Sequence, residues 1–172
     1  MAAEGLTEMT VYRLVFDPNT NSPIVILQHE DSGALLPIWI GIFEAHSIAM
    51  KLEGVEVSRP LTHDLLSHTF STIKGMVERV EVVDLVDNTY FARIYFQVAE
   101  KNYSVDSRPS DAIALALRTA SPIFVADHVL EKSKIDPENL EESEAEPGET
   151  EEEEWARILK NYNPEGSKDK LN

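Results

Sequence analysis

Val105-Asp106-Ser107-Arg108-Pro109-Ser110-Asp111-Ala112-Ile113-Ala114-Leu115-Ala116-Leu117 reads as a strand that runs straight into a buried helix. Proline disfavours helical geometry in the residue before it and is pre-set for a first helical turn. Arg108 is therefore expected to be extended and Pro109 to start the helix. Ser110 and Asp111 then fall in the first turn, where a carboxylate gains from the helix dipole and can accept free backbone N–H groups. That capping role is one reading of Asp111. The other starts from the crowding of Asp106, Arg108 and Asp111 about one turn of backbone. Two carboxylates and a guanidinium facing one space can hold a divalent metal and a phosphate. Ala112 to Leu117 is apolar on nearly every side, so the helix should pack on more than one face and form a rigid base for a site.

Upstream, Thr10 to Phe16 alternates as a strand, and the turn formers of 17–23 join it to the apolar run Ile24 to Leu27 as a hairpin with a longer loop. Leu35 to Ile40 is a third strand, whose Pro37 indicates an edge position or a bulge. From Ile42 the period becomes helical through Ala45, Ile48, Ala49 and Leu52, with Gly54 as the stop. Ser58-Arg59-Pro60 then repeats the Ser-Arg-Pro of 107–109 ahead of a second helix. That helix is expected to be capped by Thr62, with Leu65, Leu66, Phe70 and Ile73 as its apolar stripe. Gly75 is read as its stop. Val77–Val86 and Thr89–Ala99, joined by Asp87-Asn88, form the clearest hairpin. A turn near 100–102 leads into the strand 103–106, and Pro122 to Ala126 and Asp127 to Lys132 read as a last strand and a short helix.

The 172 residues carry a net charge of -16. Through Ser133 there are 10 Lys and Arg against 18 Asp and Glu, and beyond it 5 against 13, so each part carries -8. A domain without a basic surplus lacks the usual footprint for nucleic acid, so a polyanion would need a local basic patch or a bridging metal. No cysteine is present, which excludes disulfides, thiolate zinc sites and cysteine nucleophiles. No apolar run reaches bilayer length and residues 1–8 lack the pattern of a signal peptide, so the expectation is a soluble, cytoplasmic protein with no membrane association.

The organisation expected is a folded domain over 1–133, an acidic disordered linker over 134–150 whose composition turns abruptly near Asp136, and a short amphipathic helix and tail over 151–172. Trp155, Ile158, Leu159 and Tyr162 recur there at helical spacing. Such a tethered stripe suits docking back on the domain, on a second copy of the chain or on a protein partner.

No His-x-x-x-His set, Gly-rich phosphate loop or Gly-x-Ser-x-Gly elbow occurs. What remains is a carboxylate and arginine constellation: Glu44, Asp64, Asp106 and Asp111 with Arg59 and Arg108. The carboxylates Asp106, Asp111, Asp64 and Glu44 suit Mg²⁺ or Mn²⁺, which can activate water and offset phosphate charge. Arg59, Asp64, Asp106, Arg108 and Asp111 are the candidate catalytic side chains. Each alone is also an ordinary cap or solvated charge.

Several separated motifs carry a family resemblance: Leu36-Pro37-Ile38-Trp39-Ile40-Gly41, Glu44-Ala45, Arg59-Pro60-Leu61-Thr62-His63-Asp64-Leu65-Leu66, and Asp106 to Ala116. In this order they resemble the bifunctional nuclease family, over about residues 9–130. The resemblance implies an α+β, roll-like domain, with a mixed, mostly antiparallel sheet packed with about three helices. It also implies nuclease activity on RNA and DNA of the kind known for plant members. It supplies no catalytic residues, so the set above rests on chemistry. Two functions are open: a metal-assisted nuclease hydrolysing phosphodiesters, and a non-catalytic regulatory or protein-interaction domain with an acidic docking tail.

Overall fold

The computed structural model describes residues 5–17 and 20–135. In chain order these form β1 (Leu6–Phe16), β2 (Pro23–Gln28), β3 (Leu35–Trp39), α1 (Ile42–Leu52), α2 (Thr62–Thr72), β4 (Gly75–Val86), β5 (Thr89–Val98), β6 (Lys101–Ser107), α3 (Pro109–Thr119), β7 (Ile123–Ala126) and α4 (Asp127–Ser133). The acidic linker from Asp136 and the Trp155 helix lie outside the described residues. Among the described residues no helix is long and apolar enough to cross a membrane.

The strands make one seven-stranded sheet in the order β3-β2-β1-β7-β4-β5-β6. All neighbours are antiparallel except β7, which lies parallel to β4. A parallel pair needs a crossover, and α3 supplies it. The mixed, mostly antiparallel α+β class expected from the sequence is therefore the one formed, with the short α4 as a fourth helix. β1 changes partner along its length: Leu6 to Met9 pair with β7, Thr10 to Phe16 with β2, and the register shifts between Val11 and Arg13. Such a bulge bends a strand and increases its twist. β3 is an edge strand, which accommodates Pro37.

α3 lies in the centre. Pro109, Ser110 and Ala112 through Ala116 are all buried, and its apolar residues share one cluster with Val80 and Val82 of β4, Ala92 and Ile94 of β5, Val125 of β7 and Ile48 of α1. Full burial of Ile113 or Leu115 contributes about 1.5–3 kcal/mol each, while Ala112, Ala114 and Ala116 around them let neighbouring elements approach. β2 is buried on both faces, hence its unbroken apolar run. Val25 and Leu27 face the main cluster, and Ile24 and Ile26 face a smaller one with Leu35 and Ile135. Leu35 and Ile135 also exchange backbone hydrogen bonds at 2.9 and 2.7 Å, so the folded unit includes Ile135.

Two details of α2 differ from expectation. Its N-cap is Leu61, because Asp64 reaches back to accept the Leu61 N–H at 2.9 Å, which places Thr62 inside the helix. Of the expected stripe only Phe70 packs on the core, edge-on to Phe96, while Leu65 is 61% and Ile73 50% exposed. The turn after β5 is Ala99-Glu100, both at positive φ, one step earlier than the spacing predicts. Likewise Gly75 opens β4, and Ile73 caps α2.

Candidate active site

The extended Arg108, with φ -69° and ψ 145°, caps α3, and Pro109 opens it as the sequence predicts. Asp111 does not cap the helix backbone; no side chain does. It binds Arg108 instead, accepting from Nε at 2.8 Å on Oδ2 and from Nη2 at 3.1 Å on Oδ1. The same Nη2 donates to Glu44 Oε1 at 2.9 Å. Glu44 sits in the first turn of α1, so the guanidinium joins the starts of two helices. A Cβ at Gly41 would collide with the Glu44 carboxylate, so glycine there leaves the room that Glu44 needs to fold back towards Arg108.

A third helix start completes the cluster. His63, in the first turn of α2, places Nε2 3.1 Å from Asp111 Oδ1 and Nδ1 2.9 Å from the hydroxyl of the buried Ser47. Burial pushes the Asp111 carboxyl up, but hydrogen bonds from Arg108 and His63 and the Arg108 charge outweigh it and hold the group below its ordinary pKa. An ionised carboxylate only accepts, so Nε2 of His63 donates to Asp111, while Nδ1 pairs with the Ser47 hydroxyl. Ser47 thus fixes the ring and the ring fixes Asp111. Asp111 and Glu44 in turn raise the Arg108 pKa, which keeps the guanidinium charged.

These side chains line a cavity of about 580 Å³ together with Phe43, His46 and Pro60. The Arg108 side chain is 65% exposed, whereas those of Glu44 and His63 are 17% and 12% exposed. The arrangement therefore presents one guanidinium to solvent from a bed of two carboxylates, a form suited to a phosphate group.

Of the residues expected from the sequence, Glu44, Arg108 and Asp111 come together. Asp64 turns the other way. Its Oδ1 lies 2.5 Å from Nε of Arg118, whose side chain is 5% exposed and also donates to the carbonyls of Ala114 and Ser47. That makes Asp64 a clamp between α2, α3 and α1. Asp106 is exposed on β6 opposite Arg93, and Arg59 is exposed in the loop before α2. Neither lines the cavity, although the two Ser-Arg-Pro segments do meet there, through Pro60 and Arg108. The four carboxylates Asp106, Asp111, Asp64 and Glu44 are thus divided among three places. Among the described residues no three His, Asp or Glu side chains gather as metal ligands.

Sequence reasoning did not find the roles of His63, Ser47 and Arg118. His63 stands beside Asp64 in a quoted motif, but its partner lies 48 residues away, and no local spacing encodes that contact.

The profile of the bifunctional nuclease domain matches residues 25–138. Two uncharacterized proteins from two strains of Mycobacterium tuberculosis are each 35% identical over 163 residues, which covers 94% of this chain and 98% of theirs. Bifunctional nuclease 2 of Arabidopsis thaliana is 32% identical over 108 residues, 61% of this chain and 33% of the plant protein. Bifunctional nuclease 1 of Oryza sativa subsp. japonica is 27% identical over 112 residues, 63% of this chain and 34% of its own length.

Proposed function

Since this chain belongs to the bifunctional nuclease domain family, we propose that it hydrolyses phosphodiester bonds of single-stranded RNA or DNA at the cavity where α1, α2 and α3 begin. The observation that carries the reading is the double hold on Arg108: Asp111 grips one edge of the guanidinium while Nη2 at its tip contacts Glu44. Exchange of Nη2 from Glu44 to a phosphoryl oxygen leaves the Asp111 contact to keep the guanidinium in place. It also frees Glu44 to take the proton of a water attacking phosphorus, as the P–O bond to the leaving sugar breaks and that oxygen is protonated from solvent.

Glu44 and Asp111 are the carboxylates that would hold Mg²⁺ or Mn²⁺, an ion that keeps waters and needs only one or two protein carboxylates beside substrate phosphate. Bound there, it would lower the pKa of a water and offset phosphate charge. His63 acts as a positioning residue through Asp111. The name carried by the plant relatives supports the reading, although they match this chain over a third of their length.

The test is cleavage of single-stranded RNA and DNA by the purified chain with Mg²⁺ or Mn²⁺, with and without chelator. Cleavage is expected only with metal, and Glu44→Gln or Asp111→Asn should abolish it in a folded protein. Cleavage that persists in chelator removes the metal, and cleavage that survives both substitutions removes the site. No cleavage under any metal would leave the protein-interaction reading, which the charge of -16 favours.

A further inference from the structure

Arg108 has a second side. Besides the cavity of Glu44 and His63, Arg108 also lines another of about 370 Å³, formed by the end of β3, the β4–β5 turn and the start of α3. That is within the range of about 300–1,000 Å³ usual for small-molecule sites. Arg108 is the sole charged side chain among its lining residues, in a chain whose net charge is -16.

The floor is the first turn of α3. Pro109 has no N–H, that of Ala112 donates to Arg108, and no side chain caps those of Ser110 and Asp111. Ser110 lines the cavity, is 5% exposed, and its hydroxyl has no hydrogen-bond partner among the described residues. The Ser110 hydroxyl and N–H beside the Arg108 guanidinium supply donors of the kind a phosphate takes. The other wall is aromatic, with Trp39 38% exposed and Tyr90 beside it, and the Asn88 amide stands at the rim. An aromatic wall next to a phosphate cradle suits a stacked base.

We propose that this second cavity is a nucleotide subsite, holding a phosphate over Ser110 and Arg108 and an aromatic base against Trp39. Resting on the nuclease reading, it places the nucleotide next to the scissile phosphate, with Arg108 as the wall between the two. A base held this way has left any duplex stack, so the substrate class is single-stranded nucleic acid.

The experiment is equilibrium binding of adenosine 5′-monophosphate, adenosine and inorganic phosphate to the full chain, followed by calorimetry. The monophosphate should bind about tenfold or more tighter than either part. Trp39→Leu should abolish that advantage while leaving phosphate binding intact, Trp39→Phe should restore most of it, and Ser110→Ala should weaken both phosphate-bearing probes. Phosphate binding as tightly as the nucleotide, or a nucleotide affinity indifferent to Ser110→Ala, overturns the proposal. The second criterion decides the matter even if Trp39→Leu fails to fold. Nucleotide binding that depends on Trp39 without any cleavage keeps the subsite and sinks the nuclease. Cleavage without nucleotide binding does the reverse.

Discussion

His63 Nε2 lies 3.1 Å from Asp111 Oδ1, so a residue at the start of α2 orients the carboxylate that grips Arg108 at the start of α3. Removing the ring should leave the fold intact and loosen Asp111. For His63→Ala we expect cleavage to fall about 10–100-fold, and the acid limb of the pH–rate profile to move upward as Asp111 loses one of the bonds that lowers its pKa. Unchanged rates, or a limb that stays in place, would remove His63 from the site.

Arg108→Lys separates charge from geometry. An ammonium cannot span both Asp111 oxygens while reaching Glu44, so cleavage should fall about 10²–10³-fold. Because the Arg108 side chain is 65% exposed, the melting free energy should change by less than about 1 kcal/mol. An unfolded variant would show that Arg108 is there to hold the helix starts together.

Gly41→Ala asks whether Glu44 must fold back. The backbone of Gly41, at φ -73°, tolerates alanine, but the added Cβ meets the Glu44 carboxylate. A stable protein with impaired cleavage is expected, with the Glu44–Arg108 contact absent from its crystal structure. Full activity would mean that Glu44 takes no part.

Asp64 governs stability in acid. Burial pushes its carboxyl up, but the hydrogen bonds from Arg118 and the Leu61 N–H and the Arg118 charge prevail and hold its pKa below the ordinary value. With a lowered native pKa, the stabilisation is fully present above the unfolded value of about 3.9 and is lost as pH falls through the native one. Asp64→Asn should therefore cost about 1–3 kcal/mol at pH 7 and flatten the fall in melting temperature below about pH 4. Parallel curves for both proteins would refute the clamp. Cleavage measured at pH 7 and at a temperature where both are folded should hardly differ.

Chain ends can be placed from Ile135. It is 7% exposed and exchanges two backbone hydrogen bonds with Leu35, so a chain cut after Ser133 should be about 2–4 kcal/mol less stable than one cut after Asp136. Equal urea midpoints would show that this bridge contributes nothing.

What the sequence reveals about this fold is what neighbouring residues decide among themselves. Pro109 dictates the start of α3, Asp87-Asn88 and alternating strands dictate the β4–β5 hairpin, and Pro37 marks an edge, because each acts over a few residues. The errors fall where distant partners intervene. Leu65 and Ile73 keep helical spacing yet stay largely exposed, since polar contacts occupy much of α2's inward side: His63 with Ser47 and Asp111, and Asp64 with Arg118. The candidate site divides the same way. Arg108 and Asp111 are three residues apart and could be read together, whereas Asp64 with Arg118 and His63 with Asp111 are joined only by tertiary packing.

The divided pairing of β1 has a consequence for how the chain emerges from the ribosome. Its second half can zip to β2 as soon as the hairpin is made, but Leu6 to Met9 must wait for Ile123 to Ala126. The hydroxyl of Thr7 finds its acceptor, Asp127, 120 positions later. Closing so long a loop carries an entropic cost that grows only logarithmically with its length. Timing matters more than that cost: until β7 is released, the Leu6 to Met9 part of β1 lacks its β7 partner, and nascent chains crowded on one message would be exposed to pairing there with each other.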